Sequence, residues 1–313
     1  MIELRSASLK ALVSPHGATL AGLWARPYPN SLVLGTSDQH HLVEHLTYFG
    51  ALVGPIANRI AGGRITIDGV AWNLEQNEGT NTLHSGAKGL HGLMWEVEEV
   101  RDESVTLAIS LPDGFGGLPG VRKITARYVL NGTTLRLEII AESDRATVMN
   151  IAHHPYWNLD GSDTVAAHSL RIPADTYLPT NAFSLPTGEV ALVQGTEYDF
   201  RKTRKIPIGT TLDATLCLGR KRLDAPCKCA VLTAPGGPRL EVHTTEPGLQ
   251  LYNGTGICDV PADLFDDRRL LPCAGVALEP QAWPDAPNHK GFPSIYLQKT
   301  EKYCQITEYR IYQ

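Results

Sequence analysis

Turn residues interrupt this chain so often that the runs between them are too short for long amphipathic helices. These runs are rich in Val, Ile, Thr and Tyr, which are the residues that favour strands. No rhythm of strand, helix and strand runs along the sequence, so a parallel sheet is not expected. Only the region 261–271 has a pattern typical of a helical turn or two. The chain is therefore predicted to be all-β, with large antiparallel sheets and few short helices.

Two β-hairpins are predicted from dipeptides that stand between alternating runs. Asp-Gly and Asn-Gly are strong hairpin signals, because both central residues of a type I′ turn need a positive φ. The first hairpin joins Arg64–Ile67 to Val70–Trp72 through Asp68-Gly69, and the second joins Lys123–Leu130 to Thr134–Ile140 through Asn131-Gly132.

Length and charge limit the classes of protein to which the chain can belong. A chain of 313 residues that is 42% hydrophobic can bury a large core without disulfides or a structural metal. The formal net charge of -5 and the lack of a long basic run argue against nucleic acid as a main partner. Two short basic clusters, at 201–205 and 220–222, are interpreted as solvated loops.

Location and domain organisation follow from what the sequence lacks. No stretch approaches the ~18 apolar residues of a membrane span, and no apolar segment follows the N-terminal charges, so a cytoplasmic protein without membrane contact is expected. No linker rich in Pro, Gly or Ser divides the chain, so residues 1–313 are expected to form a single catalytic domain. A monomer or a weak homodimer is predicted.

Three motifs resemble metal or phosphate sites but lack the required context. The six cysteines show no C-x-x-C pair and are interpreted as free, mostly structural thiols. His41-Leu42-Val43-Glu44-His45 matches an inverted zinc-peptidase motif, which needs a helix, and no long helical pattern surrounds it. The glycine-rich stretch 114–120 has no Walker lysine after it and precedes a strand, so it is interpreted as a turn. No metal site is predicted.

Two adjacent histidines, His153 and His154, precede Pro155 in an aromatic, strand-like stretch. Successive side chains of a strand point to opposite faces, so the two imidazoles cannot both bind one ion. Pro155 favours extended backbone at His154 and so supports the strand assignment. One histidine is therefore expected to face a pocket and the other a different environment, and alternation alone does not say which.

A carboxylate and a rigid loop follow an apolar run near the C-terminus. Glu279 comes directly after Gly275 to Leu278, so it is expected at the end of a buried strand, where desolvation raises the pKa of a carboxyl group. Three prolines and Trp283 follow it and suggest an aromatic wall for a sugar pocket. Earlier in the chain, Arg59 and His84 each stand among small residues that permit close approach. Together these groups suit a polyhydroxylated substrate that needs a proton donor and a proton acceptor.

The ordered motifs resemble the aldose 1-epimerase, or galactose mutarotase, family. They cover nearly the whole chain and read GPIANRIAGGRITIDG, NTLHSG, GLHGLMWEVE, NIAHHPYWNL, LPTGEVALVQGTEYDFR, LQLYNGTGI and LEPQAWPDAPNHKGFPS. The resemblance implies a β-supersandwich that binds a free monosaccharide in a cleft on a sheet, with no metal or organic cofactor.

The resemblance also implies roles for individual residues. The general acid is His154, within a motif that includes Tyr156, and the catalytic base is Glu279. The residues implied to bind the sugar are Asn58, Arg59, His84, Tyr156, Asp213 and Gln250. Around Asp213 the local pattern departs from that of the family, and His153 stands where the family has asparagine.

The implied reaction interconverts the α and β anomers of a sugar by acid and base catalysis. Glu279 would take the proton of the anomeric hydroxyl while His154 gives one to the ring oxygen, and a histidine with a pKa near ~6.5 suits this exchange. Three alternatives stay open at this point. They are an epimerase of a phosphorylated or sulfonated sugar, a glycoside hydrolase with a pair of carboxylates, and a non-catalytic carbohydrate-binding protein.

Overall fold

The computed structural model describes residues 1–260 and 262–313, and strands dominate it. In chain order the strands are β1 (Ile2–Arg5), β2 (Leu9–Ser14), β3 (Thr19–Ala25), β4 (Leu52–Val53), β5 (Arg59–Ile60), β6 (Arg64–Ile67), β7 (Val70–Asn73), β8 (Thr82–Leu83), β9 (Glu96–Arg101), β10 (Ser104–Leu111), β11 (Arg122–Asn131), β12 (Thr134–Ser143), β13 (Thr147–Val148), β14 (Ala152–His153), β15 (Tyr156–Trp157), β16 (Ser169–Arg171), β17 (Thr176–Tyr177), β18 (Ala191–Leu192), β19 (Arg204–Lys205), β20 (Asp213–Cys217), β21 (Cys227–Thr233), β22 (Arg239–Thr244), β23 (Gly248–Tyr252), β24 (Val276–Gln281), β25 (Tyr296–Leu297) and β26 (Tyr303–Tyr312). The all-β prediction is confirmed.

Helical structure is confined to short pieces. The α-helix α1 (Gln39–Glu44) begins after Asp38, whose carboxylate accepts hydrogen bonds from the backbone N–H groups of His40 and His41. Residues 41–44 of the His-x-x-Glu-His motif lie on this short helix, which we did not predict, and His45 is its C-cap, so no long helix carries the motif. The 3-10 turns are Ala61–Gly63, Gly86–Lys88, Leu90–Gly92, Phe115–Gly117, Val165–Ala167, Phe265–Asp267 and Ala286–Asn288. In the region 261–271, Phe265–Asp267 is the helical turn that we expected, and Pro261 lies outside the described residues.

Both predicted hairpins form, but only one has the expected turn. Asp68 and Gly69 have φ values of 49° and 77°, and Ile67 pairs with Val70, as a type I′ turn requires. In the second hairpin Asn131 pairs with Thr134, so the turn is Gly132-Thr133. Gly132 has a φ of 58°, while Asn131 and Thr133 do not adopt positive values. The turn lies one residue later than predicted, because the glycine takes its first central position.

Two large antiparallel sheets organise the chain. The nine-stranded sheet has the order β19-β16-β21-β22-β26-β12-β11-β10-β9, and the six-stranded sheet has the order β15-β24-β23-β20-β17-β18. A three-stranded sheet of β1, β2 and β3 accompanies them. Buried and exposed residues alternate along β11, β12 and β26, which indicates one face on the core and one in solvent.

One large apolar cluster lies between the two large sheets. Leu107 and Leu137 of the nine-stranded sheet belong to the same cluster as Leu249, Leu251 and Leu278 of the six-stranded sheet. The two sheets therefore pack face to face. Side chains that alternate with these leucines on β23 and β24 must point away from the core, which makes the outer face of the six-stranded sheet a place for polar groups.

Two smaller predictions are corrected by burial and ion pairing. All six cysteines are free, but Cys227, Cys258 and Cys304 are exposed, so the thiols are not mostly buried structural ones. The cluster at 220–222 is not simply a solvated loop, because Arg222 donates hydrogen bonds to both carboxylate oxygens of buried Glu246.

Among the helices in the described part of the chain, none is long and apolar enough to cross a membrane.

Candidate active site

A cleft of about 460 Å³ opens on the outer face of the six-stranded sheet. It gathers both predicted catalytic residues and all six residues predicted to bind the sugar, although they are spread from position 58 to position 279. The residues that line it are Tyr48, Asn58, Arg59, Leu83, His84, His154, Tyr156, Thr211, Asp213, Gln250, Tyr252, Thr255, Gly256 and Glu279.

Strand register aligns Thr215, Gln250 and Glu279 in one row, of which Gln250 and Glu279 line the floor of the cleft. Gln250 of β23 pairs with Glu279 of β24 on one side and with Thr215 of β20 on the other. The Thr215 hydroxyl donates to Gln250 Oε1 (2.5 Å), and Gln250 Nε2 donates to Asp213 Oδ1 (2.5 Å). This chain of hydrogen bonds fixes the orientation of the Gln250 amide and holds the Asp213 carboxylate in the cleft.

The histidine pair is divided between two environments, as strand alternation predicts. His153 points into the core, where its Nδ1 lies 2.9 Å from the Tyr309 hydroxyl. His154 points into the cleft, where its Nε2 lies 3.5 Å from Glu279 Oε1. Tertiary packing therefore decides what alternation left open, and His154 is the histidine that reaches the cleft.

Burial shifts the proton affinities of both members of the His154–Glu279 pair. The two residues are only 5% and 2% exposed. Burial, with a smaller contribution from His91, lowers the pKa of His154 to about 4. Burial and the neighbouring charge of Asp213 raise the pKa of Glu279 well above its ordinary value, although Arg59 opposes this shift. When the pair holds one proton, that proton therefore lies on the carboxyl group.

A second segment brings Asn58, Arg59 and His84 to the rim. Strands β5 and β8 pair so that Arg59 lies opposite Leu83, one residue before His84. The backbone N–H of Asn58 donates to His84 Nδ1 (3.1 Å), and the N–H of His84 donates to the Asn58 carbonyl. Because Nδ1 is an acceptor, neutral His84 carries its proton on Nε2. Burial, followed by the charges of His154, His91 and Arg59, lowers the pKa of His84 well below its ordinary value.

Arg59 is held by two carboxylates. Its Nε and Nη2 donate to the two oxygens of Glu78, at 2.6 and 2.8 Å, and its Nη1 lies 3.7 Å from Asp213 Oδ2. Burial alone would lower the pKa of Arg59, but the hydrogen bonds to Glu78 and the charge of Asp213 outweigh it and raise the pKa. The guanidinium is thus a fixed cation at the edge of the cleft.

Three tyrosines form the aromatic part of the lining. The Tyr156 ring lies 5.0 Å from that of His154 and 6.2 Å from that of Tyr252, measured between ring centroids. The Tyr48 ring lies 5.0 Å from His84 and stacks at 6.1 Å on His154. These rings provide apolar faces beside polar groups, a combination suited to a sugar ring.

Comparison with known proteins identifies the family. The family model for aldose 1-epimerase matches residues 1–310. The chain is 34% identical over 321 residues to galactose mutarotase of Bos taurus, covering 98% of this chain and 92% of that protein. It is 32% identical over 295 residues to aldose 1-epimerase of Escherichia coli K12, covering 89% and 84%.

The chain belongs to the aldose 1-epimerase family. The crystal structure of a GalM/aldose epimerase homologue from C. elegans matches the aldose 1-epimerase fold seen here, with a TM-score of 0.91, 30% identity and coverage of 99% of this chain and 98% of that one. Aldose 1-epimerases are isomerases that interconvert sugar anomers, so the predicted class of enzyme and the resemblance on which it rested are confirmed.

Asp213 and Trp283 were both predicted to contribute to the sugar pocket, but only Asp213 lies in the cleft. Asp213, whose local sequence departs from the family pattern, nevertheless lies in the cleft beside Arg59 and Gln250. Trp283 does not line the cleft, contrary to our expectation of an aromatic wall. It is buried, donates from Nε1 to the Pro247 carbonyl and packs on Phe292, because the chain turns inward after β24.

Some residues of the site escaped the sequence-based prediction. Tyr48, Tyr252 and Glu78 stand in or beside motifs of the aldose 1-epimerase pattern, but only the folded chain brings the two tyrosines into the cleft and Glu78 onto Arg59. Glu78 lies six positions before His84 in one short segment, which is the one available signal. Across the described ranges, 1–260 and 262–313, no group of three His, Cys, Asp or Glu residues has the arrangement needed to hold a metal ion.

Proposed function

We propose that this protein interconverts the α and β anomers of a free aldose, with Glu279 as the base and His154 as the acid. The observation that carries the proposal is the separation of 3.5 Å between His154 Nε2 and Glu279 Oε1 on the floor of the cleft. The anomeric hydroxyl and the ring oxygen of a sugar are bonded to the same carbon. An acid and a base whose reacting atoms lie 3.5 Å apart are therefore suited to act on both oxygens in the same step.

The proton balance of the step agrees with the electrostatics of the pair. In the reacting form Glu279 is ionised and His154 is protonated. The carboxylate takes the proton of the anomeric hydroxyl, the bond from C1 to the ring oxygen breaks, and His154 gives its proton to that oxygen. The products are the open-chain aldehyde, neutral His154 and protonated Glu279. Burial favours this last form of the pair, so the site stabilises the ring-opened side of the step.

Reclosure reverses the transfers after rotation about the C1–C2 bond. The neutral histidine then takes the proton back from the sugar hydroxyl while Glu279 returns its proton to the aldehyde oxygen. If the bond has rotated, the ring closes to the other anomer. No proton is gained or lost over the cycle, so the reaction needs neither a cofactor nor a metal in this proposal.

The remaining polar groups are proposed to hold the sugar. His84 offers an Nε2–H donor, because Asn58 N–H occupies its other nitrogen. The Arg59 guanidinium and the Asp213 carboxylate offer a donor and an acceptor to sugar hydroxyls, and Gln250 and Asn58 complete this set. Tyr156 is proposed to support the sugar ring with its aromatic face. A donor beside the reacting oxygens also stabilises charge that builds there as the ring opens.

Further properties of the protein are proposed on the same basis. Residues 1–313 are proposed to form a single catalytic domain, supported by a family match over 1–310 and by the pairing of C-terminal β26 with β12 and β22. A cytoplasmic location and a monomeric or weakly dimeric state remain our predictions. The aldose 1-epimerase class of the relatives favours anomer exchange over glycoside hydrolysis and over binding without catalysis.

The test is the rate of anomer exchange measured by polarimetry or NMR on freshly dissolved α-D-galactose and α-D-glucose. Glu279→Gln and His154→Asn are each expected to lower kcat by about 10²–10⁴ while the protein still folds, because each removes a proton-transfer group. His153→Asn is the matched control and keeps most of the activity, since His153 contacts Tyr309 in the core. A wild-type protein that does not accelerate exchange of any aldose would disprove the proposal.

A further inference from the structure

Glu78 is an ion-pair partner of Arg59, the arginine that is proposed to bind the sugar. Its carboxylate accepts two hydrogen bonds from the nitrogens of Arg59, which lines the cleft, and its side chain remains 37% exposed. Asp213 approaches the same guanidinium from another side, at 3.7 Å. Of the described residues that line the cleft, Arg59 alone carries a permanent positive charge. Two carboxylates, those of Glu78 and Asp213, lie next to this one cation.

A tight turn holds Glu78 in this place. Glu78 and Asn81 exchange backbone hydrogen bonds, at 3.1 and 3.0 Å, across Gly79, which has a φ of 61°. The Asn77 side chain bonds to both the N–H and the carbonyl of Leu83, next to His84. The same segment thus delivers His84 to the cleft and Glu78 to Arg59, so the position of the carboxylate is built into the fold.

The charge of Glu78 also acts on groups inside the cleft. After burial, it is the next cause of the raised pKa of Tyr48, and it contributes to the raised pKa of Asp213. A negative field of this kind repels an anion that enters the same space, and the repulsion is strong where solvent is partly excluded.

We propose that Glu78 positions Arg59 and sets the substrate charge preference, so that the cleft accepts neutral sugars and rejects sugars that bear a carboxylate or phosphate. This inference rests on the proposed function. Two nitrogens of Arg59 are committed to Glu78, so the guanidinium meets the sugar as a donor of hydrogen bonds with its charge already balanced. An anionic substituent would find no unpaired cation in the lining.

The experiment compares sugars that differ only at C6, namely D-galactose with D-galacturonate and D-glucose with D-glucuronate. The measured quantity is the ratio of kcat/KM for the neutral sugar to kcat/KM for its uronate. In the wild type this ratio is expected to exceed ten. Glu78→Gln keeps the shape but removes the charge, and is expected to lower the ratio about tenfold at low salt. Raising the salt to about 1 M should lower the wild-type ratio as well, because salt screens the field.

Two further variants serve as controls. One tests the position of the Glu78 carboxylate at constant charge, and the other tests the net charge of the protein. Glu78→Asp keeps the negative charge, but its shorter side chain cannot accept both hydrogen bonds from Arg59. We therefore expect KM for both sugars of a pair to rise, while the ratio of their kcat/KM values stays as in the wild type. Glu96→Gln removes one charge from exposed β9, outside the cleft, and should leave the ratio unchanged. A ratio that stays within twofold in Glu78→Gln, or that falls equally in Glu96→Gln, contradicts the inference.

The outcomes also distinguish this inference from the proposed function. If the wild type accelerates exchange of the neutral sugars and the uronates equally, the role of Glu78 is wrong and the epimerase proposal stands. If the wild type accelerates neither member of either pair, nor any other aldose, the proposed function itself fails. Thermal unfolding midpoints of the Glu78 variants close to that of the wild type are expected, because this side chain is partly exposed.

Discussion

At the scale of single residues, the environment of His154 changes the chemistry expected of it. A histidine with an ordinary pKa would titrate near ~6.5. Within the cleft, burial lowers the pKa of His154 to about 4, while burial and Asp213 raise that of Glu279. The two groups lie close enough to titrate as a pair, and when the pair holds one proton that proton lies on Glu279.

The pH dependence of the reaction should reflect this shared proton. As pH falls, His154 accepts a second proton for the pair only near pH 4, and the base is then lost. We therefore predict that the acid limb of log kcat/KM lies near pH 4. The measurement is anomer exchange by NMR at constant ionic strength, with the uncatalysed rate subtracted at each pH. An acid limb near pH 6.5 would contradict the prediction.

At the scale of elements, the pairing of β20, β23 and β24 brings residues that are far apart in the sequence side by side on one face of the sheet. The row Thr215, Gln250 and Glu279 follows from register, because directly opposed residues share a face of the sheet. Thr215 does not line the cleft. Its hydroxyl donates to the oxygen of the Gln250 amide, so the nitrogen of that amide is the atom that donates to Asp213. It acts on the sugar only through its neighbours.

A change at Thr215 should therefore weaken substrate binding more than catalysis. Thr215→Val removes the hydroxyl and leaves the Gln250 amide free to turn, at a cost of about 1 kcal/mol of net hydrogen bonding. We predict that KM for a neutral aldose rises about fivefold and that kcat changes less. Thr215→Ser retains the hydroxyl and is the matched control. Steady-state kinetics in which the two variants behave alike would disprove the role of this hydrogen bond.

At the scale of the whole molecule, buried histidines link stability to pH. His153 lies in the core, where burial lowers its pKa to about 3. In the unfolded chain the same histidine would take up a proton near pH ~6.5. Between these values the unfolded state binds more protons than the folded state, so the free energy of unfolding falls as pH falls from about 6.5 towards 3.

The contribution of His153 can be isolated by substitution. We predict that His153→Asn loses less stability than the wild type between pH 7 and pH 4.5, by up to about 1.4 kcal/mol for each pH unit below 6.5. Loss or gain of the contact with Tyr309 shifts the whole curve without changing its slope. Urea unfolding at several pH values measures the effect, with His40→Asn, at an exposed position, as the control. Equal slopes in the wild type and His153→Asn would refute this assignment.

Local patterns were sufficient for the all-β class and for the existence of both hairpins. Asp68-Gly69 and the alternating runs around it predict a hairpin because turn geometry and side-chain alternation depend on neighbours in the chain. The helix α1 was missed because it is held by a single cap at Asp38, and the turn at Gly132 was misplaced by one residue because two adjacent residues compete for the same positive φ. Errors of this kind arise where one hydrogen bond or one dihedral angle decides the outcome.

The sequence by itself determined the all-β class, the opposite orientation of His153 and His154, and, through the ordered motifs, the family. Tertiary structure decided which histidine faces the cleft, the burial of Trp283 away from it and the clamp of Glu78 on Arg59. The physical reason is the range of the interactions. Strand alternation and turn geometry act over a few residues, whereas the proton affinities of the site depend on desolvation and charge from residues more than two hundred positions apart.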